Sequence, residues 1–225
     1  MRITELIKSF DGFRIEIRDK VFEEGLVHGL IGPNGCGKTT LAKLIMGTIP
    51  ALCRDIDFGG LGSRDMTMAA QKPYMTHDSV YQNLIFPLKL RGITPDRRET
   101  DRLLGLCGLQ DKKKDPARGL SSGQQQKLSL ARALIFKPKL IIIDESLSSL
   151  DPDSVELFES EIRRIQNEAP VTWLIISHQL AHVRSLCDKI HFMDKGKIIR
   201  SGSFDEVLSQ PEEPALQRYL ARETL

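Results

Sequence analysis

Apolar residues fall into two rhythms along this chain, short unbroken runs and helical stripes, and their alternation predicts a layered α/β protein. Residues 26–31, 140–143 and 171–177 are compact apolar runs. Runs of that length without polar alternation suit strands buried on both faces, as in a mostly parallel sheet. Residues 66–70 predict a further strand running into Gln71. Between the runs lie helical stripes. Residues 41–46 continue as a helix after the first run. Residues 124–136 carry Leu128, Ala131, Leu134 and Ile135 on one face. Residues 152–166 carry Val155, Phe158, Ile162 and Ile165, with Asp151 as a good N-cap. Strands alternating with helices imply a sheet covered on both faces.

The two ends add antiparallel structure. Residues 2–17 read as two short strands around the turn Asp11-Gly12, and a late strand pair turns at Lys195-Gly196 before two short helices. The rhythm also changes from residue 76 to about 108. There, residues 79–90 have helical spacing at Val80, Leu84 and Leu88, interrupted by Pro87, and residues 101–107 are helical. The expected organisation is one domain over 1–225. Its core is formed by about 1–75 and 119–225, with a helical subdomain inserted at about 76–118.

Composition narrows the partners. With 32 basic against 30 acidic residues the net charge is +2, too even for nucleic-acid binding driven by electrostatics. Lys112, Lys113 and Lys114 are flanked by Asp111 and Asp115 and read as a solvated loop. Cys36, Cys53, Cys107 and Cys187 are scattered, which suits a reducing compartment and excludes a zinc knuckle. No apolar signal core opens the chain, and the apolar runs fall far short of a membrane span. The expectation is a cytoplasmic protein that reaches a membrane only by docking.

The chemistry is concentrated at residues 32–40. Gly32, Pro33, Asn34, Gly35, Cys36, Gly37, Lys38, Thr39 and Thr40 fit a phosphate-cradling loop between a buried strand and a helix. Gly35 and Gly37 let the backbone fold around a phosphate with N–H groups inward. Lys38 reaches the outer phosphates, Thr39 can ligate Mg²⁺, and the helix N-terminus favours the anion. A second signal is the run ending in Asp144-Glu145. It sets a carboxylate at the carboxyl edge of the sheet, where ligands bind in open α/β folds. Asp144 can hold Mg²⁺ opposite Thr39, and Glu145 can polarise an attacking water. Between them, Ser121-Ser122-Gly123-Gln124 reads as a capped polar helix start, which is also an anion site.

Together, the phosphate loop, the run Leu120-Ser121-Ser122-Gly123-Gln124, Asp144-Glu145, Ser148-Ser149-Leu150-Asp151 and the downstream His178 resemble the ATP-binding cassette (ABC) ATPase subunit. The resemblance covers nearly the whole chain in the family's order. It implies a phosphate-loop NTPase core with a mostly parallel sheet, an N-terminal antiparallel β part and an inserted helical subdomain. It implies ATP and Mg²⁺ as ligands. Phe10 would stack on adenine, with Phe13 as rival. Gln71 would contact Mg²⁺ or the water and sense the permease. Ser121, Ser122, Gly123 and Gln124 would cap the γ-phosphate of a nucleotide held by a second subunit, with Asp151 in the loop that crosses the dimer. Glu145, His178 and Lys38 would be catalytic, and Thr39, Gln71 and Asp144 would surround the metal. His28, His77, His182 and His191 match nothing and read as structural.

Several positions depart from the family's pattern. Ser122 stands where glycine is usual, Lys127 where arginine is common, and Ser146 where proline often follows the acid pair. The stretch from Lys38 to Gln71 is short, so its antiparallel strands are expected to be trimmed. The implied partners are a transmembrane permease, a second ABC ATPase subunit (identical or closely related) and a separate substrate-binding protein. Residues 71–92 would form the permease groove. They are similar to bacterial importers of oxyanions such as tungstate or phosphate, and to some amino-acid and lipoprotein systems. The implied location is peripheral, on the inner face of the membrane. The competing reading is a soluble ABC ATPase that drives assembly of a protein or iron–sulfur complex. A nucleic-acid cassette fits poorly, without heptad arms, a zinc insert or a basic surplus.

Overall fold

A computed structural model describes residues 1–209 and 211–223. The chain opens with strands β1 (Arg2–Phe10), β2 (Phe13–Val21) and β3 (Val27–Ile31), then helix α1 (Lys38–Ile45) and strands β4 (Cys53–Asp57) and β5 (Met66–Ala69). Helices α2 (Val80–Arg91), α3 (Arg97–Leu106) and α4 (Ser122–Leu134) follow. The second half alternates β6 (Leu140–Asp144), α5 (Pro152–Glu168), β7 (Thr172–Ile176), α6 (Leu180–Leu186) and β8 (Lys189–Asp194). It ends with β9 (Lys197–Gly202), α7 (Phe204–Leu208) and α8 (Pro214–Glu223).

Two sheets form. The main one has the order β5-β6-β7-β3-β8-β9, parallel from β5 to β8 and antiparallel only at β9. The smaller one is antiparallel, in the order β2-β1-β4. The period-2 alternation of the buried strands assigns each face. Ile141 and Ile143 of β6, with Trp173 and Ile175 of β7, join a core with α2, α3, α4 and α5. Ile142, Leu174 and Ile176 face the other way, into a core with α1 and the antiparallel sheet. A third cluster seats α8 and α7 against Ile31, Ile190 and Phe192.

The expectations are revised in four places. β1 and β2 have nine residues each, with β2 continuing to Val21, so they are not short. β4 and α6 were not foreseen. One antiparallel strand therefore survives in the shortened segment between Lys38 and Gln71. Pro87 does not interrupt α2, which runs through it to Arg91 and ends at Gly92 with a φ of 68°. An interior proline costs roughly 3 kcal/mol, but burying each of Leu84, Ile85 and Leu88 offsets about 1.5–3 kcal/mol of that. All three are buried in the core shared with α4. α3 begins at Arg97 because Asp96 caps it, accepting from the Arg98 amide.

The topology positions the site. Parallel strands bring all their carboxyl ends to one edge. Gln71 lies just beyond β5, Asp144 and Glu145 end β6, Ser177 and His178 follow β7, and residues 32–37 follow β3. Four segments far apart in sequence thus line one edge in the order of the strands.

Candidate functional site

The loop after β3 is shaped by its glycines. At Gly32 a Cβ would fall 2.1 Å from the Met193 carbonyl oxygen, so only glycine fits under β8. Gly35 holds a φ of 77° with open space where a side chain would project. α1 then begins without a side-chain cap and without an acid in its first turn. Its leading amides and its dipole are thus available to an anion. The Lys38 ammonium folds back to donate to the Gly32 carbonyl at 2.7 Å and the Pro33 carbonyl at 3.3 Å. The Cys36 thiol points into the core beneath the loop, where burial raises its pKa, so only its backbone faces the cradle.

Across from the loop, the Thr39 hydroxyl donates to Asp144 Oδ1 at 3.0 Å. Asp144 is buried, and desolvation lifts its carboxyl above the usual range against the opposing pull of the Thr39 hydrogen bond. A cation beside it would reverse that cost. Glu145 follows with a φ of 51°, a left-handed backbone for a residue with a side chain. Its amide donates to the Ile176 carbonyl at 3.0 Å. Its carboxylate accepts from Gln71 Nε2 at 2.8 Å, and His178 Nδ1 lies 4.0 Å from its other oxygen.

A cavity of about 480 Å³ is lined by Phe10, Phe13, Asn34, Gly35, Gly37, Lys38, Thr39, Thr40, Gln71 and Glu145. Phe10 and Phe13 stand 6.4 Å apart at its mouth. Phe10 is exposed, whereas Phe13 packs on the core beneath. A second cavity of about 640 Å³ shares Asn34 and Glu145 and adds His178, Asp194, Lys195 and residues of α8 such as Arg218. The part of α8 in this rim was not readable from the sequence, because α8 carries no motif. Among the described residues no three His, Cys, Asp or Glu side chains converge as a metal cage. One carboxylate with one hydroxyl suits Mg²⁺ held partly by substrate phosphates.

Ser121–Gln124 lies apart from this cluster, at the start of α4. Ser121 accepts from the Gln124 amide, and the Gln124 side chain returns to the Ser121 amide, a closed capping box. Ser122 takes the first helical position, a backbone any residue adopts, so serine in place of glycine brings no strain there. A Cβ on Gly123 would meet nothing within 4 Å. Asp151 caps α5, accepting from the Ser154 amide and hydroxyl. Lys127 reaches the same corner, donating to Ser154 Oγ at 3.1 Å with Asp151 at 3.8 Å. The four unassigned histidines divide: His77 is exposed, and the other three are engaged. His28 and His191 form a buried pair, and His182 bonds Glu159 at 2.8 Å.

Residues 19–148, more than half of the chain, match a family model described as ABC transporter. The chain is 35% identical over 211 residues to the tungstate uptake system ATP-binding protein TupC of Peptoclostridium acidaminophilum, covering 90% of this chain and 98% of that one. It is 34% identical to the spermidine/putrescine import ATP-binding protein PotA of Fusobacterium nucleatum, over 98% of this chain but only 61% of the relative. The methionine import ATP-binding protein MetN of Corynebacterium diphtheriae is 31% identical, with 66% of its length matched. Among solved structures, an ATP-binding subunit of an ABC transporter superposes with a TM-score of 0.84 over 100% of this chain and 99% of that one, at 22% identity, and so speaks for the fold. CbiO1 from Clostridium perfringens, described as part of the ABC transporter complex cbiONQ, gives a TM-score of 0.75 at 26% identity, covering 94% and 91%.

Proposed function

This chain belongs to the ABC transporter family, and we propose that the site at the carboxyl edge of its main sheet binds and cleaves ATP to drive import through a separate transmembrane permease. The observation that carries the reading is the meeting of the Thr39–Asp144 and Gln71–Glu145 pairs beside the glycine loop. One pair supplies a hydroxyl and a carboxylate for a metal. The other supplies a base with an amide donor to orient it.

In this reading the amides after Gly35 and the Lys38 ammonium hold the β- and γ-phosphates, and Phe10 stacks on the base. Thr39, Asp144 and Gln71 would hold Mg²⁺, whose chemistry is to neutralise charge on the phosphate oxygens. Glu145 accepts the proton of an attacking water, and its left-handed backbone is the kind of strain that clusters at such sites. His178 and Lys38 stabilise the charge spreading over the transferred phosphoryl group.

Half of the site comes from a second copy or a close relative. The support is an exposed helix start at Ser121 and Ser122, with open space above Gly123. That N-terminus would cap the γ-phosphate held by the mate, with Asp151 in the crossing loop, so closure requires triphosphate and hydrolysis reopens the pair. Residues 71–92, leading into the helical subdomain over about 76–118, carry the permease-facing surface. Tyr74 is 68% exposed and Leu90 65%, and Phe86 and Ile93 are exposed with them, more apolar area than a solvated helix carries. No described helix is long and apolar enough to cross a membrane. In this reading the chain sits peripherally on the inner face of the cell membrane, held there by the permease. A substrate-binding protein completes the importer. The tungstate relative, matched over nearly all its length, favours an oxyanion cargo.

The test is Glu145→Gln. The variant is expected to bind ATP, to accumulate a closed dimer by light scattering, and to lose turnover by roughly a hundredfold or more. Full turnover would remove Glu145 from this role. Pull-down from membranes then separates transport from assembly, since a co-purifying integral permease supports the first and a soluble scaffold the second.

A further inference from the structure

Ser146, where the family often carries proline, is fully buried. Its one hydroxyl proton has the Asp144 carbonyl oxygen of its own strand at 3.2 Å and, across at the end of β5, the carbonyl oxygens of Ala69 at 3.1 Å and Ala70 at 3.2 Å. The latter two carbonyls sit at and just beyond the end of the β5–β6 pairing, whose last partners are Ala69 and Ile143. A side-chain hydroxyl therefore carries the pairing one step past the strand, to the residue before Gln71. The Ala70 carbonyl also accepts from Gln126 Nε2 of α4 at 3.3 Å, and Gln126 is buried too. Further along, Arg132 of α4 donates to the Tyr74 carbonyl at 2.8 Å. The Gln71 segment is thus tethered on both sides.

The same hydroxyl bears on Glu145. Its amide is tied to Ile176 of β7 on one side, while its successor Ser146 is tied to the end of β5 on the other. A left-handed φ at a non-glycine residue persists only when its surroundings over-determine it. These two anchors on opposite neighbouring strands supply that constraint. They also aim the carboxylate at Gln71.

We propose that Ser146 is a positioning residue for ATP cleavage: its hydroxyl fixes the Ala69–Ala70 backbone so that Gln71 meets Glu145, with Gln126 linking that contact to the α4 helix. This rests on the catalytic reading of Glu145 and Gln71. A positioning fault leaves substrate binding intact and lowers the chemical step, because small misplacements are felt in the transition state.

The experiment measures MgATP turnover of the full chain for Ser146→Ala, Gln71→Ala and the double variant, with thermal melting of each. Ser146→Ala should lower kcat by about tenfold with KM changed by less than about twofold, and should have almost no further effect in the Gln71→Ala background. Gln126→Met, which removes the second donor to Ala70, should behave likewise and serves if Ser146→Ala fails to fold. Equal losses in both backgrounds would overturn the proposal, as would an unchanged kcat. A Glu145→Gln variant run alongside separates the failures. Normal Ser146→Ala turnover beside an inactive Glu145→Gln overturns this inference alone, whereas an active Glu145→Gln overturns the catalytic reading and this inference with it.

Discussion

The Thr39 hydroxyl meets Asp144 Oδ1 at 3.0 Å across 105 residues of sequence, joining the start of α1 to the end of β6. Thr39→Val keeps the shape and removes this donor from a buried carboxylate. The nucleotide-free protein should lose about 1–3 kcal/mol of stability in denaturant titration. Turnover should fall more steeply than ATP affinity. A variant of wild-type stability and activity would dissolve the assigned pairing.

Lys38→Ala removes a cation that the loop holds on the Gly32 and Pro33 carbonyls. Its contact with phosphate is charge-assisted, so ATP affinity should fall by roughly 10- to 100-fold in calorimetric titration. Unchanged binding would count against the cradle.

Phe10 and Phe13 compete for the adenine. Phe10 is 44% exposed at the cavity mouth, whereas Phe13 packs on the core that holds Ile15 and Met193. Phe10→Ala should weaken ATP binding by about tenfold, the scale of one lost base stack, without changing the melting temperature. Phe13→Ala should mainly lower stability. The reverse pattern would hand the stacking role to Phe13.

Gly123→Leu places a side chain in space that this chain leaves open. The monomer should melt at the wild-type temperature or slightly above, since glycine is a poor helix former. In a Glu145→Gln background, ATP should no longer produce a dimer in light scattering. Persistence of the dimer would show that the start of α4 faces no mate.

His28 and His191 predict an acid limit. His191 Nε2 and His28 Nδ1 are 3.2 Å apart, with His28 Nε2 on the Glu23 carbonyl and His191 Nδ1 on the Ser201 hydroxyl. Burial depresses both rings, and His191, beside His28 and near Lys189 and Lys20, falls to about 3. The unfolded chain takes up these protons near 6.5 and the folded chain at lower pH, His191 only near 3, so between those values the unfolded state holds more protons. Stability contributed by the neutral pair is complete above pH 6.5 and declines as the pH falls. The denaturation midpoint should drop between pH 6.5 and 4, and His191→Phe should flatten that slope. An equal slope in the variant would relocate the acid sensitivity.

Much of this protein was readable in the chain because the relevant physics is local. An unbroken apolar run such as residues 140–143, too short for a helix and rich in β-branched isoleucine, favours a doubly buried strand. A glycine-rich turn between strand and helix lets the backbone turn its amides toward an anion. Capping by Ser121 and Asp151 follows from hydroxyl and carboxylate geometry within three residues. The buried parallel strands, the loop at 32–40 and the alternation of β and α come from such rules, whereas β4, with its polar sequence Cys-Arg-Asp-Ile-Asp, gives no such signal. Pro87 shows their limit. The local cost of an interior proline is real, yet tertiary burial of Leu84, Ile85 and Leu88 outweighs it and α2 continues. The order β5-β6-β7-β3 is likewise not written in any periodicity. Only that order sets Gln71, Glu145, His178 and Lys38 along one edge. Glu145's left-handed backbone, the Thr39–Asp144 bond and the Ser146 hydroxyl on Ala69 and Ala70 join residues that are neighbours only after non-local strand pairing has formed. Sequence spacing carries which groups are available; their mutual distances exist only once the sheet has closed its register.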